Sequence, residues 1–302
     1  MRFSIVIPTK NRPDELRKIF ASLMIQTKLP EQIIIIDQSS HDKIIKNELK
    51  SVLKNKKIEF NYLCNNKIKG LVEAKFYSLN YCNYEIISFF DDDIVLQPDY
   101  IEKVNFAFQN YPKIIGANGI ILNMPKKNFL QRFFFKITHQ GIFNDNRYEV
   151  VNSINKNNSE PQLVNTLSGG LSSWRKEVFK KVSFDIKNHF HSYEDKEFSI
   201  RVNKNFPNGM YVIPKAKLKH FHSKINRKAA IKLIKMNVFE IILIYKKNRK
   251  ISFLGLDLIL LLISIMAKVL LRSMLNFQIG EIKSFILGLK DGFYYKIKVN
   301  GR

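Results

Sequence analysis

Three consecutive carboxylates, Asp91-Asp92-Asp93, follow directly on an apolar run that ends in Phe89-Phe90. Carboxylates crowded at the end of a buried segment repel one another and lose hydration, so a cation is their natural partner. Oxygen-only donors suit Mg²⁺ or Mn²⁺, ions that keep several waters and add substrate phosphates to their shell. The competing reading is a solvated acidic loop. It is the weaker one here, because 50 Lys and Arg against 26 Asp and Glu leave few acids to cluster by chance.

The elements that must carry these acids are legible around them. Phe3 to Pro8, Ile33 to Ile36, Ile58 to Leu63 and Glu85 to Phe90 are short β-branched or apolar runs and read as strands. Helical spacing separates them: Leu16, Ile19, Phe20 and Leu23 behind Pro13, then Gly70 to Tyr81, then a helix from Pro98 to about Asn110. Strands alternating with helices predict an α/β fold with a central, mostly parallel, doubly wound sheet. Ligands of such sheets gather at the carboxyl ends of strands. Thr9, Asp37 and Asp91 are the polar residues at those ends, so a pocket is expected along that edge.

Beyond residue 113 the pattern is less regular. Ile114 to Leu122 reads as a strand. Asn123 to about Leu163 lacks periodicity and reads as a functional loop or lid. Ser168 to Ser173 reads as a tight glycine turn around Gly169 and Gly170, followed by a helix from Trp174 to Lys181. Ser192 to Glu197 opens another helix, and Tyr211–Pro214 and Lys217–Phe221 read as two short strands.

Composition bounds the rest. The chain has 302 residues, 45% of them hydrophobic, which is enough for a large core and excludes global disorder. A net charge of +24 attracts polyanions: nucleic acid, an anionic membrane face or phosphorylated substrates. Two cysteines, Cys64 and Cys82, are too few for a disulfide framework or a cysteine zinc site. A strand pattern at the very start, with no signal-like segment, leads us to expect a cytoplasmic protein. From Lys224 onward the chain becomes helical, apolar and basic. Phe253 to Leu271 is its most hydrophobic stretch, interrupted by Asp257 and Lys268 and flanked by Lys246, Lys247, Arg249, Lys250 and Arg272. That pattern predicts an interfacial helical appendage on anionic head groups, with a spanning hairpin or a soluble helical subdomain as alternatives.

Taken in order, IVIPTKNR, IIIIDQSS, FFDDD, LSGGLSSWRKEVF and EDKEFSIR resemble the family 2 glycosyltransferases, whose fold is the Rossmann-like GT-A. The resemblance covers roughly residues 1–228, which would form the catalytic domain, with 229–302 as the helical, membrane-associating region. It implies an inverting enzyme that moves a sugar from a nucleoside diphosphate sugar to an acceptor hydroxyl with Mn²⁺ or Mg²⁺. It places Pro8, Thr9 and Arg12 near the nucleotide and Asp37 on its base or ribose. Gly70 and Lys75 fall by the donor helix, where the family's Ala-Arg-Asn is replaced by Ala74-Lys75-Phe76. Asp93 becomes the direct metal ligand, Asp91 lies between ribose and metal, and Asp92 is an auxiliary donor-site acid. Gly169 and Gly170 match the loop beside the acceptor. Asp195, paired with Glu194, matches the general base that takes the acceptor's proton. His220, in preference to His222, matches the histidine that completes the metal site, and Ser223 to Arg227 the closing loop with a basic residue for the diphosphate.

No Gln-x-x-Arg-Trp motif follows the base, so transfer of a single sugar is expected, not processive synthesis. The expected acceptor is a lipid-linked or surface glycan, as in bacterial lipopolysaccharide, O-antigen or capsule assembly. The enzyme would work peripherally on the inner face of the cell membrane. Two other classes compete. A nucleotidyltransferase would release pyrophosphate, but no glycine falls in the first strand–helix turn. A nucleic-acid-binding protein would explain the charge but has no recognisable binding motif, so no nucleic-acid partner is expected.

Overall fold

The computed structural model describes residues 1–39, 43–125, 127–154, 160–188, 190–223, 230–252, 254–276 and 279–298. Phe3–Thr9 forms β1 and Pro13–Met24 forms α1, with Pro13 in its first turn and Asp14 and Glu15 at its positive end. β2 (Gln32–Asp37), α2 (Lys43–Val52), β3 (Glu59–Cys64) and α3 (Leu71–Ser78) follow. Next come β4 (Ile86–Phe90), β5 (Ile94–Leu96), α4 (Tyr100–Asn110) and β6 (Gly116–Ile121). The segment after β6, expected to be irregular, contains α5 (Phe129–Thr138), α6 (Arg147–Ser153) and the two-residue β7 (Gln162–Leu163).

One sheet joins the strands in the order β3-β2-β1-β4, continued by β8 (Leu171–Arg175), β6, β9 (Met210–His220) and β5, with β7 on β9. The first four strands are parallel, and β6 is parallel to β9. β8, β5 and β7 run against their neighbours. All residues of β1, β2 and β4 are buried, which explains why they read as continuous apolar runs with no alternation. Leu16, Ile19 and Phe20 of α1 and Tyr100, Val104 and Phe108 of α4 close one core against them.

Two sequence expectations are corrected. Trp174 starts no helix; it lies in β8, and α7 spans only Val178–Lys181. Leu-Ser-Ser-Trp-Arg looks like a loop because of its serines, yet within the sheet these are buried and partnered. Ser173 and Ser88 share a hydroxyl hydrogen bond of 2.7 Å, and Trp174 Nε1 donates to Ser172 Oγ at 2.9 Å. The Trp174 ring is 2% exposed and packs edge-on against Phe198. Secondly, Tyr211–Pro214 and Lys217–Phe221 are not two strands: one strand, β9, runs through Pro214 and ends at His220. The β6–β9 register shifts between Asn118 and Ile120, pairing Val212 and then Lys217, and Pro214 sits in that bulge, where no ladder donor is required of it.

By contacts the chain divides into two compact units. One holds residues 1–124, 146–184 and 198–226; the other holds 125–145, 185–197 and 227–302. In the second unit α9 (Ala230–Asn248) packs along α11 (Ile279–Tyr294), and α10 (Leu256–Asn276) packs on α11 and α5. Gly288 and Gly292 set the α9–α11 approach: a Cβ at Gly288 would lie 2.7 Å from the Lys235 carbonyl oxygen, and one at Gly292 2.9 Å from Ile242 Cβ. Asp257, which breaks the apolar run, is buried. It accepts hydrogen bonds from the Ile142 and Leu258 N–H groups and from the Ser252 hydroxyl. Among the described residues one helix is long and apolar enough to cross a bilayer, Leu256–Leu275, with a mean hydropathy of 2.2.

Candidate active site

Parallel pairing brings the carboxyl ends of β1, β2 and β4 together. Thr9 stands opposite Asp37 in register and Pro8 opposite Ile36, while Asp91 follows the last residue of β4. Thr9 Oγ donates to Asp92 Oδ2 at 2.7 Å, and Arg12 Nη1 lies 2.9 Å from Asp92 Oδ1 and 3.9 Å from Asp93 Oδ2. Asp92 is thus buried and held by Thr9 and Arg12, and Arg12 is shared with Asp93. Burial pushes its carboxyl up to about 6 in spite of the Thr9 and Arg12 hydrogen bonds.

Antiparallel pairing of β5 with β9 delivers the third group. Ile94 faces His220, so the histidine falls beside Asp93 although 127 residues separate them. The Phe221 N–H donates to the Asp93 carbonyl at 2.9 Å, and the Asn123 side chain brackets the His220 backbone at 2.8 and 2.9 Å. His220 Nε2 lies 2.9 Å from Asp93 Oδ1 and 3.9 Å from Asp91 Oδ2. One donor atom each from Asp91, Asp93 and His220 falls within 4.8 Å of the others. His222, at φ 50°, is not one of these three; its ring lies against that of His220 with centroids 3.9 Å apart.

The two outer carboxylates differ in character. Burial works against charge on Asp93, but hydrogen bonds from His220 and the Ser223 N–H and the Arg12 guanidinium outweigh it and hold this group below the ordinary carboxylate range. Burial raises Asp91, with Asp93 adding repulsion, and Lys75 and His220 only partly offset it. Two acids pushed apart in this way, with an imidazole between them, form a site a divalent cation would complete. Two carboxylate oxygens and one imidazole nitrogen fit Mn²⁺ well and Mg²⁺ acceptably.

The glycine turn supports this cluster. The Asp91 N–H donates to the Gly170 carbonyl at 2.7 Å, and a Cβ on Gly170 would lie 1.8 Å from Asp91 Oδ2. Lys75, 1% exposed, donates to the Gly169 carbonyl at 2.9 Å beside the Phe89 and Phe184 rings. Asp37 is held as a turn acid: Oδ1 accepts the Ser39 N–H at 2.8 Å and Oδ2 the Tyr62 hydroxyl at 2.7 Å. Gly70, at φ 95°, starts α3 and donates its N–H to the Gln38 side chain at 3.0 Å. Sequence reasoning missed the parts played by Tyr62 and Gln38, and the Ser223 N–H that donates to Asp93 from the start of the expected closing loop; these come from register and from one backbone N–H, neither of which leaves a motif.

Glu194 and Asp195 occupy the first turn of α8 (Glu194–Asn205) and belong to the second unit. Glu194 is buried; Asp195 is half-buried, and its Oδ1 accepts the Lys196 N–H at 2.7 Å. The loop before them is anchored by Glu240 of α9, whose carboxylate accepts the N–H groups of His191, Ser192 and Tyr193 at 2.8 to 2.9 Å. Two turns along α9, Lys247 bridges Asp185 at 2.6 Å and Glu197. Burial opposes charge on Asp185, and Lys247 and Asn188 overcome it, lowering the group. In the expected closing loop, residues 224–227 lie outside the described residues. Ser223 is described, and its hydroxyl donates to Glu15 at 2.9 Å.

The sequence profile of glycosyl transferase family 2 matches residues 4–183. The chain belongs to that family. No curated protein sequence matches this glycosyltransferase, but solved structures do. GalNAc-T7 with UDP, GalNAc and Mn²⁺ aligns at a TM-score of 0.62 and 14% identity over 82% of this chain; the chain spans 48% of that protein. S. aureus TarS 1-349 in complex with UDP-GlcNAc aligns at 0.63 and 14% over 97% of this chain and 80% of that one. Mannosyltransferase PcManGT from Pyrobaculum calidifontis with GDP-Man and Mn²⁺ aligns at 0.61 and 11% over 97% and 87%. At these identities the likeness is one of fold: this family 2 glycosyltransferase has the GT-A fold.

Proposed function

We propose that this glycosyltransferase moves a single sugar from a nucleoside diphosphate sugar to a hydroxyl of a lipid-linked or surface-glycan acceptor at the inner face of a bacterial membrane. The Asp91–Asp93–His220 cluster carries the reading, because it gathers cation ligands where the parallel strands end. These three residues would hold Mn²⁺ or Mg²⁺, which when bound neutralises charge on the departing diphosphate. GalNAc-T7 and PcManGT, solved with Mn²⁺ and a nucleotide or nucleotide sugar, support the choice of ion and donor.

The residues of the chain divide the remaining work. Arg12 and Thr9 fix Asp92, and Arg12 adds positive charge beside Asp93. Pro8, Thr9, Asp37 and Gly70 border the nucleotide, and Lys75 holds the Gly169–Gly170 turn against the donor side. Asp195, seconded by Glu194, takes the proton from the acceptor hydroxyl as it attacks the anomeric carbon, and the diphosphate leaves with the bonding pair. Residues 1–228 act as the catalytic domain and 229–302 as the membrane-facing region. The net charge of +24 and the hydropathy of Leu256–Leu275 support an anionic bilayer as partner.

Calorimetric titration of UDP and GDP into the protein with Mn²⁺, Mg²⁺ or EDTA tests the donor reading. Cation-dependent binding of one nucleotide is expected; no binding of either under any condition would refute it.

A further inference from the structure

α5 is a ten-residue helix with no buried residue. Phe129, Leu130, Phe133, Phe134 and Ile137 are 73, 61, 52, 56 and 42% exposed. At about 100° per residue these five form a single stripe roughly 140° wide. Arg132 and Lys136, both exposed, border it, and no acid occurs between residues 122 and 144. The helix is defined locally, by a capping box between Asn128 and Gln131. Its other face carries a local stack, with Phe135 on the His139 ring at 3.9 Å and the Lys127 ammonium 3.6 Å from the Phe135 ring, and α10 packs on the helix. In the same unit α10 exposes Ile259, Ile263, Leu271 and Met274 along one face, with Lys268 beside them.

We propose that α5 is a membrane-inserting helix that lies flat in the interface of an anionic bilayer, its phenylalanines among the acyl chains and Arg132 and Lys136 on the head-group phosphates. A water-exposed stripe of three aromatic and two aliphatic side chains marks an interaction surface. The only charges beside the stripe are cationic, Arg132 and Lys136 along one edge, with uncharged Thr138 and Gln131 along the other, and that selects an anionic lipid surface over a protein partner of mixed charge. The inference rests on the membrane-surface reading above and extends it to a segment outside the C-terminal region.

The test is flotation of the full chain with phosphatidylcholine vesicles, with and without phosphatidylglycerol. Three forms are compared: wild type, a stripe variant (Phe129→Ser, Phe133→Ser, Phe134→Ser) and a tail variant (Ile263→Ser, Leu271→Ser, Met274→Ser). Wild type is expected to float with the anionic vesicles. The stripe variant should lose about tenfold or more in partitioning while still binding nucleoside diphosphate. In a Phe133→Trp protein, emission should shift to the blue and be quenched by brominated lipid. If the stripe variant floats like wild type and only the tail variant fails, the inference for α5 is overturned and the membrane reading stands. If wild type does not float at all, both fall. A dimeric wild type, a monomeric stripe variant and no lipid binding by either would assign the stripe to a second copy of the chain and also overturn the proposal.

Discussion

Gly170 and Asp91 are in contact: a Cβ at Gly170 would sit 1.8 Å from Asp91 Oδ2. The turn that reads in sequence as an approach for a sugar is, within the fold, an approach for a carboxylate. Gly170→Ala must therefore displace Asp91 or the turn. We expect a stability loss of about 1–3 kcal/mol by thermal denaturation and a fall of about tenfold or more in Mn²⁺-dependent nucleotide affinity. Asp91→Ala in the same background should recover most of the stability and none of the affinity.

His220 and His222 are separable by the same binding measurement. His220→Ala removes the imidazole that lies 2.9 Å from Asp93 Oδ1, and Mn²⁺ affinity should fall about tenfold or more. His222→Ala removes a ring packed on His220, outside the group of three cation ligands, and should cost much less. Equal losses in both would contradict the assignment of His220 to the cation.

Strands, helices and the acidic triplet were legible because each is local. The isoleucines of β2 are contiguous, α1 has its proline and acids in place, and Asp91 to Asp93 are adjacent. What was hidden is non-local or internally satisfied. β8 leaves no strand pattern because Ser172 and Ser173 are polar in sequence but partnered in the sheet. β9 reads as two strands because a proline ordinarily ends a strand, and only a bulge against β6 admits Pro214. The link from His220 to Asp93 depends on β5–β9 pairing, which no spacing announces. The close approach of α9 and α11 was equally invisible, since Gly288 and Gly292 weaken a helix when read from propensity alone.

Glu240 gathers three backbone N–H groups directly ahead of Glu194 and Asp195. Glu240→Gln halves the acceptor capacity and removes the charge. We expect about 1–3 kcal/mol of destabilisation. With Asp195 as base, kcat should also drop about tenfold or more while the donor KM stays near its wild-type value, because the base shifts and the donor does not. A change in donor KM alone would count against Glu240 as a positioning residue for Asp195.

His139 supplies a pH dependence whose sign is fixed. Burial, together with the nearby Lys268 and Lys127, pushes its imidazole down to about 4 despite the Phe135 carbonyl. The folded protein keeps it neutral while the unfolded chain takes up a proton below about pH 6.5. Its stabilising contribution is therefore complete above that pH, declines as pH falls toward about 4, and levels off below. For a partly exposed ring we expect about 1–2 kcal/mol. Denaturant melts of wild type and His139→Phe across this window check it: the variant should show the shallower slope.

The central claim is a cation-dependent sugar transfer that uses Asp93 to hold the ion and Asp195 as base. Nucleoside diphosphate release from a panel of nucleotide sugars, in Mn²⁺, Mg²⁺ or EDTA and with added glycan acceptors, tests it most directly. Wild type should release diphosphate from one donor only when the cation is present. Asp93→Ala should bind and cleave poorly, and Asp195→Asn should bind the donor normally but turn it over at least about a hundredfold more slowly. Undiminished release in EDTA, or by both variants, would contradict the account.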